Sequence, residues 1–170
     1  MLFRSRRVVI MGGAVLAGNT TPAAEFNSYV DPEAAHRVLT SGVPFWLCPL
    51  DVTHQAYVTP AEVAQIAALG TPPAALFADV VARMLPLVSR YAGGLGAPLH
   101  DPLAVLYAAD PAPFTATACY VDVETRGSIT RGMTVTDRHS DARRDPNGHL
   151  VETVDRARFV ATILEVLGRY

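Results

Sequence analysis

Asn19, Glu25 and Asn27 lie within nine residues of one another in the stretch GNTTPAAEFN. Asparagine amides both donate and accept hydrogen bonds and glutamate accepts, so the set suits a hydroxyl-rich ligand. An ordinary polar loop with asparagines in turns explains the same residues equally well. A second group is His100-Asp101, in PLHDPLAV. Histidine titrates near neutrality without help and can act as a general acid, although a lone histidine is more often structural. Asp101 precedes Pro102, the pattern of an N-cap followed by proline at the first helical position. Its carboxylate also suits a hard cation such as Ca²⁺, which takes roughly six to eight oxygens, so Asp101 alone is a small part of such a site.

Other candidates carry less. Asp51-Val52-Thr53-His54 closes an apolar run, and nothing close in sequence strengthens it, so it ranks as a neighbour of a site at most. Met11 ends another apolar run and reads as core or as a surface for a ligand ring or sugar. His36 reads as exposed. Cys48 and Cys119 sit in apolar runs without short-spaced ligand partners, which favours buried reduced thiols over a metal site or a disulfide.

Elements that would position these groups follow from the apolar pattern. Val8–Met11 reads as a β-branched strand stopped by Gly12-Gly13, followed by loop through Tyr29. Asp31-Pro32-Glu33 opens a helix with Gly42 as its stop, and VPFWLCPLDV reads as a second strand ending at Asp51. Thr59-Pro60 caps a helix over 61–69. Pro72 and Pro73 open a longer one to about Tyr91, with Leu76, Val80, Met84, Leu87, Val88 and Tyr91 at helical spacing. Asp101-Pro102 starts a short helix. Thr117–Val123 and Thr134–Thr136 read as strands, 141–148 as a polar turn and 155–167 as an amphipathic helix. Continuous apolar strands alternating with helices predict one α/β domain over 1–170, an open and mostly parallel sheet covered by helices on both faces. Ligands of such sheets bind outside the carboxyl ends of the strands, which selects the loop after Met11 and the segment after Asp51.

Composition narrows the classes. Of the 170 residues, 50% are hydrophobic and 18% charged, enough apolar content for a packed core. A net charge of -2 gives no reason to expect nucleic acid or an anionic membrane as partner, and all 14 basic residues are arginine. No uninterrupted run of about 18 apolar residues suggests a membrane span. The opening MLFRSRRVVIMGGAVLAG has the charges and small residues of a secretory leader, but its glycines break the apolar run and VVIMGG is already a complete strand pattern.

In order along the chain, VVIMGGAV, GNTTPAAEFN, DPEAA, LDVTHQA, PLHDPLAV and DVET resemble the inosine-uridine nucleoside N-ribohydrolase family from about Arg7 to the last helix. That resemblance implies an open α/β fold and hydrolysis of the bond between ribose and nucleobase, with Ca²⁺ activating water and an oxocarbenium-like transition state. It implies that Asn19, Glu25 and Asn27 bind ribose hydroxyls and that Met11 lies against the sugar. Asp101 would be a Ca²⁺ ligand, and His100 the group that protonates a leaving purine. It further implies a ribonucleoside substrate, a homo-oligomer (dimer or tetramer) and a cytoplasmic location. The family's D-x-D-x-x-x-DD motif is missing. The sequence therefore reads as the carboxyl-terminal half of such an enzyme from a truncated or misassigned start, inactive alone. The competing expectation is a non-catalytic ribose- or nucleoside-binding module or scaffold.

Overall fold

A computed structural model describes residues 7–139 and 144–170. Among them, strands β1 (Val8–Met11), β2 (Phe45–Cys48), β5 (Phe114–Val123), β6 (Thr134–Asp137) and β7 (Gly148–Val154) form one sheet. Its order is β1-β2-β7-β5-β6. The pairs β1–β2 and β2–β7 are parallel, as expected of buried apolar strands, whereas β5 runs antiparallel to both β7 and β6. The sheet is therefore mixed. β3 (Tyr57–Val58) and β4 (Ala97–Pro98) make a separate two-stranded ribbon.

Both faces of the parallel strands are covered, which is why those strands read as unbroken apolar runs. Val8, Ile10, Phe45, Leu47 and Leu150 pack with Leu39, Cys119, Val121 and Val123 on one side. Val9, Met11, Trp46, Cys48 and Val151 pack on the other with residues of α4 (Pro60–Ala67), α5 (Pro72–Val88), α6 (His100–Ala109) and α7 (Arg156–Gly168). Each strand thus alternates its side chains between two cores. Cys48 and Cys119 are buried free thiols, and burial pushes Cys48 up to about 12.

Local chemistry sets the helix starts. Asp31 caps α2 (Pro32–Leu39), its Oδ1 accepting from Ala34 N at 2.9 Å. Thr59 and Glu62 form a reciprocal capping box at α4, and Thr71 caps α5.

Several expectations are corrected. The segment before Asp31 is not all loop: α1 spans Phe26–Val30, because Glu25 caps it. The second strand stops at Cys48, and Asp51 lies in α3 (Leu50–Thr53), which begins after Pro49. Asp101 is not an N-cap. Leu99 holds that position without a side-chain bond, His100 is the first helical residue, and Asp101 lies in the first turn. On α5 the apolar stripe faces outward: Leu76, Val80, Met84 and Leu87 are exposed, while Ala74, Ala78 and Val81 are buried. α5 packs on α4 and the core through Ala74, Ala78 and Val81, with Phe77, Leu85 and Val88 partly buried beside them. The 21-residue helical stretch Pro72–Ala92 contains an 18-residue window of mean hydropathy 1.2, enough by length and composition alone to cross a membrane. It also carries an exposed Asp79–Arg83 pair at 3.1 Å. The polar turn over 141–148 lies partly outside the described residues and ends at Gly148, the first residue of β7, a strand the apolar pattern did not indicate.

Candidate active site

Every sequence-selected group lies on a segment that follows the carboxyl end of β1 or β2, or on a helix packed against them. Beyond Met11 the chain turns at Gly13, whose φ of +74° favours glycine. A Cβ there would also fall 2.4 Å from Thr134 Oγ1. The loop is then fastened twice. Asp51 accepts from Val15 N at 2.7 Å and from Leu16 N at 3.1 Å. Glu25, only 2% exposed, accepts from Gly13 N at 2.8 Å, Asn27 N at 2.9 Å and Ser28 N at 3.2 Å.

Asn19 Oδ1 accepts from Phe26 N at 2.9 Å and from Thr20 Oγ1 at 3.3 Å. Asn27 Nδ2 donates to Met11 O and approaches Met11 Sδ, each at 3.3 Å. The three polar residues therefore act together on one loop and one helix start. Glu25 holds backbone, yet a carboxylate offers about four lone-pair positions, so three amides leave acceptor capacity. Met11 is partly buried, packing on the α6 side of the sheet while its sulfur meets Asn27.

His100 gains partners that its sequence neighbours do not reveal. Its Nδ1 lies 2.7 Å from Thr53 Oγ1, and the His54 ring meets it edge-on at 5.5 Å. His54 stacks on Tyr91 at 5.4 Å, and Arg90 covers the Tyr91 ring at 4.8 Å. Burial holds His100 below the ordinary histidine range, and His54 adds to the shift while Asp101 opposes it. Burial lowers His54 too, against a smaller opposite pull from Asp51. Thr53 and His54, ranked low from sequence, are the residues that touch His100. The sequence signal was Asp51-Val52-Thr53-His54 closing an apolar run; the contact itself spans 47 positions. His36 is half-exposed as expected and pairs with Asp122 at 2.6 Å.

Asp101 is exposed, and among the described residues no group of three His, Cys, Asp or Glu side chains could hold a metal ion. These residues do not by themselves fit a calcium ion, which takes roughly six to eight oxygens. A cavity of about 840 Å³, lined by neither His100 nor Asn27, is bounded by His36, Asp122, Arg126 and their neighbours on the β5–β6 hairpin.

Together these features define an α/β protein with a polar, histidine-bearing rim at the carboxyl ends of parallel strands, the usual ligand position in open sheets. The chain belongs to the inosine-uridine preferring nucleoside hydrolase family, whose model matches residues 2–161. It is 42% identical to a pyrimidine-specific ribonucleoside hydrolase of Shewanella sp. strain ANA-3, over 96% of this chain and 52% of that protein. Against the corresponding protein of Salmonella enteritidis the figures are 43%, 96% and 53%. The purine-preferring ribonucleoside hydrolase of Gardnerella vaginalis superposes with a TM-score of 0.84 at 32% identity, covering 96% of this chain and 52% of that one. A plant nucleoside hydrolase gives 0.85 at 28% identity, covering 96% and 54%. The chain spans about half the length of the curated relatives it matches.

Proposed function

We propose that this chain supplies the sugar-binding loop and the leaving-group side of a site that hydrolyses the N-glycosidic bond of ribonucleosides. The observation that carries this reading is Asn27 seated on Met11 at the end of β1, within the loop that Glu25 and Asp51 fasten. A fixed amide beside a soft apolar surface suits a ribose, whose edge carries hydroxyls and whose face is apolar. Asn19 and Glu25 would complete the hydroxyl-binding set, and His100 would serve the leaving base. A site built to bond hydroxyls discriminates strongly against analogues that lack them.

Relatives at 42% and 43% identity are called pyrimidine-specific, which supports uridine and cytidine as the first nucleosides to test. A cytoplasmic location, a homo-oligomer and a dependence on Ca²⁺ belong to the same proposal. Asp101 would contribute one carboxylate to such a cation. Alone, the 170-residue chain is expected not to turn over nucleosides at ordinary enzymatic rates. Isothermal calorimetry with ribose, with and without Ca²⁺, tests the reading alongside hydrolysis assays on uridine and inosine. Ribose binding that falls at least about tenfold in Asn27→Ala supports it, since one lost bond of about 1.4 kcal/mol is tenfold. Binding that is absent, with no turnover, leaves the scaffold alternative instead.

A further inference from the structure

His100 reaches its partners through Thr53, whose hydroxyl stands between a carbonyl oxygen and an imidazole nitrogen. Thr53 is fully buried and lies in the last turn of α3. Its Oγ1 is 3.3 Å from Leu50 O and 2.7 Å from His100 Nδ1. A hydroxyl carries one proton, and a carbonyl oxygen can only accept. With the Thr53 proton directed at Leu50 O, a lone pair of Oγ1 faces His100, so Nδ1 must carry the hydrogen. The His54 ring, held by its stack on Tyr91, packs edge-on against His100 and opposes a flip that would exchange its ring atoms.

We propose that Thr53 is a positioning residue that fixes neutral His100 as its Nδ1–H tautomer, leaving Nε2 an unprotonated acceptor. In that state His100 accepts a hydrogen bond from an N–H or O–H of the bound ligand; it donates from Nε2 only after taking up a proton. The second partner of a functional histidine commonly sets its tautomer in this way, with a carbonyl, carboxylate or hydroxyl on the far nitrogen. What His100 does for a substrate rests on the proposed function; the tautomer does not.

The test is a long-range ¹H–¹⁵N spectrum of the histidine side chains of the full ¹⁵N-labelled chain, at about pH 8, where an ordinary histidine is neutral. Expected is the Nδ1–H pattern for His100 in the wild type and in Thr53→Ser, and its loss in Thr53→Val. A wild-type His100 in the Nε2–H form overturns the proposal, and so does an Nδ1–H pattern that persists in Thr53→Val. If Thr53→Val does not fold, Thr53→Ala is read in the same way, and the wild-type spectrum still decides by itself. The spectrum needs no substrate. The expected tautomer in a chain that neither binds ribose nor turns over nucleosides would sink only the proposed function. The wrong tautomer in a chain that binds ribose would sink only this inference.

Discussion

The loop from Met11 to Ser28 and the ring cluster of His54, Tyr91 and His100 flank the same strand ends, yet they are built on opposite rules. In the loop, the side-chain oxygens of Asn19, Glu25 and Asp51 accept backbone amides, so polar groups hold the chain in place. In the cluster, rings are held by their faces and by one strong bond, and His54 Nε2 is buried without a partner. The carboxylates are fixed by several backbone amides at once, whereas the imidazoles rest on packed ring faces and a single hydrogen bond. Under the proposed function, the first region would bind the sugar and the second would face the departing base.

Substitutions can break that contrast, and Glu25→Ala should have the largest effect. It strands the amides of Gly13, Asn27 and Ser28 at a buried position, for an expected loss of about 3–5 kcal/mol by urea unfolding. A loss under about 1 kcal/mol would mean the loop does not depend on this carboxylate. Asp51→Ala removes two amide bonds at a more exposed place, and about 1–2 kcal/mol is expected. The ring cluster should respond to pH instead. Because burial lowers both histidines below 6.5, the unfolded chain takes up protons first as the pH falls. Their contribution to stability is complete above pH 6.5 and is lost as the pH drops through the lower folded-state values. His54→Phe keeps the stack and should flatten part of that acid-side slope; an unchanged slope in denaturant midpoints from pH 7 to pH 5 would contradict the assignment. Outside both regions, Asp79→Ala breaks an exposed pair on α5, and no measurable shift in the unfolding midpoint is expected.

Legibility in the sequence followed the range of the interaction. Asp31 and Thr59 announced their helices because a cap bonds amides two or three residues away. Glu25 caps by the same rule, yet α1 was hidden by its five-residue length and weak apolar period. β7 was missed because His149, Glu152 and Thr153 interrupt its apolar pattern. Their roles exist only in the fold: His149 stacks on Trp46, Thr153 bonds Thr115, and Glu152 meets Thr117 and Arg138. The stripe on α5 had helical period but no indication of direction. Its buried side is set by contacts with α4 and the core, which the period of α5 alone does not encode.

The sequence by itself determined the parallel strands β1 and β2, the capped helices, the buried thiols and the family, all from runs and motifs whose residues act on near neighbours. Only the tertiary structure decided that β7 lies inside the sheet, that β5 runs against both β7 and β6, and that Glu25 is buried under its own helix. It also brought Thr53 and His54 to His100. Those outcomes depend on partners separated by tens of residues, and a contact at that range is set by how whole elements pack, which local pattern does not contain.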